Sequence, residues 1–423
     1  MCSTRYGRVT RGPFGRCTWP QTAEYGTISG MTSAVPDLAP SGKRLRHLDG
    51  IRALAALYVL VHHAFMTAYP VRLTGHVDGW VGFVFGWAIW GHFGVTVFIV
   101  LAGYSLTLGL AKREGALPGG LWNFFKRRAL RIIPPYWAAL TLSIILVIVL
   151  LDRPTGTHWD QSIPTGPKEW VVNALLLQDI IPVRNTAYTF WSVAVEFHIY
   201  LLLPVILFIW RRTNWITGVS IGAFIGIFGM LAARFVDYRF DRLYPEYYLL
   251  FALAVGACIA RYRYPSIVAR VPWLAISAIV LAIVVFLIVA YQYEWVNENF
   301  AWIDALVGVG VISFVLALES GRAPHCARVL SWAPLVSVAA YSYSLYLIHA
   351  PLLQVFWQFA VEPFDLSSGW QLAIMWGFAV PIMCVLSYGF YRLIEKRSVE
   401  WARNTATSVA PRMGRHSMGR RRP

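Results

Sequence analysis

An arginine and a histidine share one face of the first long apolar segment. Residues 51–69 read IRALAALYVLVHHAFMTAY, long and apolar enough to cross a bilayer as a helix, yet they contain Arg52, His62 and His63. Arg52 and His63 are eleven positions apart, about three helical turns plus roughly 20°, so both point the same way with about 16 Å between them. His62 points about 80° away from Arg52 by the same geometry. Because charged and titratable groups are costly inside a membrane, we expect this pair to be functional.

The chemistry of the two side chains suggests different tasks. Arginine binds phosphate through its planar, bidentate fork, and histidine transfers protons near neutral pH. Their separation suits a carrier with a phosphate-bearing head and an extended arm, with phosphates at Arg52 and the reactive end at His63. The alternative is structural: Arg52 would mark the end of the helix and His63 would pack into a polar seam.

A second helix carries polar groups at matching depth. In TFWSVAVEFHIYLLLP, Ser192, Glu196 and Tyr200 are spaced i, i+4, i+8 and line one face. A buried carboxylate beside an imidazole would orient the ring and stabilise its charged form. We therefore predict Glu196 as the partner of His63, with a polar clamp between helices as the alternative.

Two further segments add candidates. AAYSYSLYLIHAPLL places Tyr346 and His349 roughly on one side of a later helix, where they could bind an acceptor hydroxyl or complete a polar cavity. Helix packing is an equally good explanation. NFFKRRALRIIPPYW is interpreted as a loop that concentrates Arg128 and Arg131 before a span opened by two prolines. It could hold nucleotide phosphates, or it could anchor the topology and attract anionic lipid.

Composition predicts an all-α, polytopic membrane bundle. Of 423 residues, 57% are hydrophobic and 14% are charged, too apolar for a soluble protein of this size. About ten segments can span a bilayer, the sixth of them short, and an aromatic-rich interfacial segment at 76–91 precedes the second. The predicted spans are 50–70, 92–111, 132–151, 190–210, 214–233, 247–260, 271–291, 301–318, 336–357 and 369–393.

The net charge of +16 follows from topology and gives no reason to expect nucleic-acid binding. Lys and Arg concentrate in alternate loops, which by the positive-inside rule predicts both termini in the cytoplasm of a plasma (inner) membrane protein. We expect a disordered extension over 1–42, a transmembrane domain over 43–400 and a flexible basic tail over 401–423. The five cysteines lack metal-ligand spacing, so we expect no metal site.

Six stretches in order resemble the acyltransferase 3 family of integral membrane acyltransferases. They are LDGIRALAALYVLVHH, GHFGVTVFIVLAGYSLTL, FFKRRALRIIPPYW, FWSVAVEFHIYLLLP, YSYSLYLIHAPLL and YRLIEK, and they cover about 45–397. The resemblance implies transfer of an acyl group, often acetyl, from acyl-coenzyme A to a hydroxyl of a surface carbohydrate, glycolipid or glycoside. Acyl-coenzyme A would be a co-substrate, with no tightly bound cofactor. The soluble esterase-like domain of some members does not follow the last span, so we expect any activity to reside in the membrane bundle.

The resemblance also assigns roles by position. His63 corresponds to the catalytic histidine and Glu196 to the acidic residue after the Trp-Ser pair, while Arg52, Arg128 and Arg131 correspond to donor contacts. Two other functions stay open on the residues alone. Ten spans with an intramembrane His and Glu would suit a proton-coupled transporter, and a non-catalytic partner in polysaccharide assembly is the third class.

Overall fold

The computed structural model describes residues 45–71, 77 and 79–407. The expected extension 1–42 and residues 408–423 of the expected tail lie outside the described residues, whereas residues 401–407 of that tail are helical. Within these ranges every regular element is helical, which confirms the all-α prediction.

Ten long helical stretches form the bundle. They are α1 (Arg46–Ala68), α3 (Phe93–Ala111), α4 (Gly120–Leu146), α6 (Trp191–Arg212), α7 (Trp215–Phe235), α8 (Pro245–Arg263), α10 (Trp273–Glu298), α11 (Phe300–Glu319), α14 (Ser342–Ala360) and the last stretch, α15 (Ser368–Ile374), α16 (Val380–Phe390) and α17 (Lys396–Thr407). The last stretch runs through π-helical turns at Met375–Ala379 and Tyr391–Glu395, and α4 ends in another at Val147–Leu151.

Shorter helices connect them. These are α2 (Gly79–Phe85), α5 (Pro167–Ala174), α9 (Pro265–Arg270), α12 (Pro324–Leu330) and α13 (Ala333–Ala339), with 3₁₀ turns at Gly86–Trp90, His158–Ser162, Tyr238–Leu243 and Glu362–Phe364. The segment that was predicted to be interfacial contains α2 and its 3₁₀ turn, and Trp80, Phe83 and Trp87 are exposed along it.

Among the described residues, nine helical stretches are long and apolar enough to span a membrane. The predicted sixth span, which the sequence shows as short, is the exception. It forms the 19-residue helix α8, whose ends are polar and whose middle, including Leu250 and Phe251, is fully buried in protein. A helix enclosed by other helices needs no lipid-facing surface, so its hydropathy is lower than that of its neighbours.

Glycine allows α3 and α8 to pack closely. A Cβ on Gly103 would lie 2.7 Å from the carbonyl oxygen of Phe251. Small residues at such crossings let helix backbones approach and gain van der Waals contact. The same approach occurs at the start of α1, where a Cβ on Gly50 would lie 1.9 Å from the carbonyl oxygen of Leu330 in α12.

The segment that we interpreted as a loop before two prolines is helical. Helix α4 begins at Gly120, so Arg128 and Arg131 lie on its surface and Pro134 and Pro135 lie inside it. Leu, Ala, Lys and Arg in this stretch are strong helix formers, and membrane helices tolerate internal proline. The arginines are therefore fixed on a helix that continues into the bundle.

Candidate active site

His63 forms a hydrogen bond with His349. His63 Nδ1 lies 2.9 Å from His349 Nε2, and His349 Nδ1 lies 2.9 Å from the carbonyl oxygen of Leu345. A carbonyl oxygen only accepts, so His349 carries its proton on Nδ1 and its Nε2 accepts from His63 Nδ1. In the neutral pair, the lone pair of His63 is consequently on Nε2, the nitrogen required for a general base.

Two rings from the loop between α4 and α6 surround His63. The His158 ring stacks on it with centroids 5.5 Å apart at 11°, and the Tyr188 ring lies 4.8 Å away at 59°. Burial raises the pKa of the Tyr188 phenol well above its ordinary value, so this hydroxyl stays neutral. Neither residue was predicted, because His158 begins a short 3₁₀ turn and Tyr188 lies outside the long helices, so neither belongs to a periodic pattern from which contacts can be deduced.

His63 lies in the wall of a cavity of about 770 Å³. Its lining comes largely from the connections after α4, α7 and α10, including Arg184, Tyr238 and Asn299. The volume falls in the range of small-molecule sites. We call this end of the bundle, with His63, His158, Tyr188 and His349, the histidine cluster.

Ser192 and Tyr346 are joined to each other and not to His63. The hydroxyl groups of Ser192 and Tyr346 form a hydrogen bond, and the carbonyl oxygen of Thr189 lies within hydrogen-bonding distance of both, so the hydroxyl that accepts from the other can donate to Thr189. Both are buried and clamp α6 to α14. The arrangement matches the packing alternative better than direct contact with an acceptor, although Tyr346 lies next to His349 with ring centroids 5.8 Å apart.

Arg52 lies near the other end of α1. Its Nη1 donates to Asp49 at 3.1 Å, and Arg131, Tyr200 and Glu196 are its other electrostatic neighbours. The Asp49 contact, one turn earlier on the same helix, was not predicted. Its i, i+3 spacing in LDGIR is the signal that would have found it.

Arg128 belongs to the same group. Its guanidinium lies 5.8 Å from the centre of the Tyr200 ring, and its Nε is buried with no hydrogen-bond partner among the described residues. A buried guanidinium nitrogen with no acceptor is a place where a ligand oxygen can bind. Arg52, Arg128, Arg131, Glu196 and Tyr200 form what we call the arginine cluster.

Glu196 is placed differently from the sequence prediction. Its carboxylate accepts a hydrogen bond from Tyr200, one turn away, and it acts electrostatically on Arg52 and Arg128. The prediction that Glu196 orients His63 is therefore corrected, because His349 holds the His63 Nδ1 position. The i, i+4 spacing that aligned Glu196 with Tyr200 was sound, but depth along one helix does not determine the neighbour across the bundle.

Comparison with known proteins identifies the domain. The model of the acyltransferase 3 family, described as an acyltransferase domain, matches residues 45–392. The chain belongs to this family. The match spans both clusters, from the start of α1 to the last stretch of the bundle.

The curated relatives of this acyltransferase domain include named O-acetyltransferases. O-acetyltransferase OatA of Staphylococcus aureus is 25% identical over 333 residues, 74% of this chain and 51% of the relative. Peptidoglycan O-acetyltransferase OatA of Listeria monocytogenes is 23% identical over 334 residues, 74% and 50% of the two chains. The putative peptidoglycan O-acetyltransferase YrhL of Bacillus subtilis is 22% identical over 371 residues, 82% and 54%. The chain thus spans about half the length of the curated relatives it matches.

Proposed function

We propose that the chain is a membrane O-acyltransferase. It would move an acyl group, acetyl in the first instance, from acyl-coenzyme A to a hydroxyl of a carbohydrate at the cell envelope. The observation that carries the proposal is the His63–His349 hydrogen bond in the wall of the cavity, because it leaves a basic ring nitrogen on His63.

The donor would bind at the arginine cluster. Coenzyme A carries phosphates on a long flexible arm that ends in the thioester. Arg52, Arg128 and Arg131 provide the planar cations that suit phosphate, and the partnerless Nε of Arg128 supports this choice. Arg52 and His63 are eleven positions apart in the unbroken helix α1, about 16 Å along its axis, a distance that an extended arm can cover.

The chemistry at His63 would be general-base catalysis. His63 Nε2 accepts the proton of the acceptor hydroxyl as the oxygen attacks the thioester carbonyl carbon. The carbon–sulfur bond breaks, the thiolate of coenzyme A leaves, and the proton passes from His63 to the sulfur. His349 accepts from His63 Nδ1 throughout, so it holds the ring and favours its charged form.

The acceptor would be a saccharide. Two of the relatives are named for peptidoglycan, which makes a peptidoglycan glycan the first acceptor to test. The loops that line the cavity would face the cell envelope, with both termini in the cytoplasm. This orientation follows the distribution of Lys and Arg along the sequence.

The test is thioester consumption by the purified full chain in nanodiscs. We expect coenzyme A release from acetyl-coenzyme A in the presence of a peptidoglycan glycan, and a loss of about 10³-fold in His63→Ala. His325→Ala, which changes an exposed histidine of α12, is the matched control and should release coenzyme A at the wild-type rate. Equal release from wild type and His63→Ala would overturn the mechanism. Absence of both coenzyme A release and coenzyme A binding would favour a transporter or a non-catalytic partner.

A further inference from the structure

A buried carboxyl group in the same cavity is not used by the mechanism above. Glu246, the second residue of α8, is 1% exposed and lines the cavity together with His63. Its Oε1 is buried and has no hydrogen-bond partner among the described residues. Leaving such an oxygen unpaired is costly, so native proteins rarely do so without a bound water or a ligand to complete it.

The neighbouring carboxyl group makes a useful contrast. Asp304 is fully buried, accepts at one oxygen from Thr96 at 2.8 Å and at the other from Tyr247 at 3.0 Å. Both of its oxygens are therefore satisfied within the bundle, and its role is structural. Glu246 interacts electrostatically with Asp304, but its Oε1 accepts no hydrogen bond from the described residues.

An aromatic pair lies in the wall beside Glu246. The rings of Trp191 and Tyr244 stack with centroids 4.2 Å apart and planes at 22°, and both residues line the cavity. Tyr244 has φ of 49°, a left-handed conformation that is uncommon for a non-glycine residue and is often found at functional sites. Tyr244 lies two residues before Glu246, and the side chains of both residues line the same wall of the cavity.

We infer that Glu246 and the Trp191–Tyr244 stack form a subsite for the sugar ring of the acceptor. Oε1 of Glu246 accepts a hydrogen bond from a ring hydroxyl, and the apolar C–H face of the ring packs against the aromatic pair. The inference rests on the proposed function only in calling this sugar the acceptor. Glu246 is a positioning residue here, because it would hold the ring while His63 takes the proton.

A saccharide hydroxyl fits the spare oxygen better than a metal ion does. Among the described residues no group of three or more His, Cys, Asp or Glu side chains could hold a metal. A hydroxyl group needs one acceptor at this point and gains contact with the neighbouring aromatic wall. A sugar ring, which presents both a hydroxyl group and an apolar C–H face, therefore fits these contacts.

The test measures sugar binding without a donor, so it is independent of catalysis. Saturation-transfer NMR on the full chain in nanodiscs would use cellotetraose and chitotetraose as probes. We expect signal transfer to the ring protons with the wild type, and binding about tenfold weaker with Glu246→Leu, because the side chain then has no oxygen that can accept from the sugar hydroxyl. Glu294→Leu, which changes an exposed carboxylate of α10 outside the cavity lining, should bind within about twofold of the wild type.

A second pair of variants protects the test against misfolding at Glu246. Tyr244→Phe keeps the ring and should bind as the wild type does, whereas Tyr244→Leu should lose binding at least fivefold. Wild-type binding of neither sugar would overturn the inference, as would equal binding by wild type, Glu246→Leu and Tyr244→Leu. A chain that binds sugar but releases no coenzyme A would keep the subsite and overturn the proposed function. Release that depends on His63 without sugar binding would do the reverse.

Discussion

The histidine cluster and the arginine cluster are built on the same helix from opposite kinds of interaction. At one end of α1, His63 is surrounded by rings and hydrogen-bonded to a second imidazole beside a cavity. At the other end, Arg52 pairs with Asp49 among further arginines, a carboxylate and a phenol. The first end suits the movement of a proton and the second suits the binding of a fixed negative charge. A single membrane helix can therefore keep a site for anion binding and a site for proton transfer apart, because the two sites lie at its opposite ends.

Among substitutions that test this difference between the two clusters, those of His349 should lower activity most. His349→Ala should lower kcat about 100-fold with little change in KM for acyl-coenzyme A, because His63 loses the acceptor that fixes its tautomer. His349→Gln should recover part of the loss, since the amide oxygen can accept from His63 Nδ1. The measurement is steady-state coenzyme A release. A loss expressed mainly in KM, or no recovery with Gln, would contradict the assignment.

Arg128 should show the complementary pattern at the other end. Arg128→Ala should raise KM for acyl-coenzyme A about 30-fold and change kcat little, because a buried hydrogen bond to phosphate is lost. Lys126→Ala removes an exposed cation of the same helix and should change KM by less than about twofold. If both substitutions raised KM equally, the arginine cluster would contribute only general positive charge and not a specific phosphate contact.

Substitution of Glu196 tests whether its carboxylate acts in the arginine cluster or on His63. Glu196→Gln should raise KM for acyl-coenzyme A about tenfold, because Tyr200 and Arg128 lose the charge that holds them. The pH dependence of kcat should not change. A shifted pH profile with an unchanged KM would instead restore the pairing with His63 that the sequence suggested.

Tyr188 should give the smallest effect. Tyr188→Phe keeps the ring against His63, so activity should fall by about threefold at most. Since the raised pKa keeps the phenol neutral, the pH–rate profile should be the same in both proteins between about pH 6 and 9. A missing alkaline limb in the variant would show that Tyr188 itself titrates during catalysis.

Much of the fold could be predicted because a membrane helix satisfies its own backbone. Each apolar stretch of sufficient length has to form one, so the spans followed from hydropathy. The error at 120–131 arose because two prolines were read as the start of a helix, although α4 simply passes through them. Helix α8 was predicted as a lipid-exposed span, but its middle is surrounded by other helices, so its hydropathy is too low to mark it as a span.

The candidate site could be predicted only where one helix carries it. The common face of Arg52 and His63 and the pairing of Glu196 with Tyr200 follow from 100° per residue. The His63–His349 contact joins residues 286 positions apart and depends on which helices are neighbours, which periodicity does not contain. His158 and Tyr188 come from an irregular loop, and Glu246 comes from a helix start, so neither group had a spacing to reveal it.

Between Arg52 and His63, α1 contains neither glycine nor proline. This stretch therefore acts as a stiff lever: a tilt of about 10° moves one end by about 3 Å relative to the other. Near the arginine end, the close contact of Gly50 with α12 holds α1 in position. Because this stretch is one continuous helix, the positions of Arg52 and His63 along its axis are fixed relative to each other.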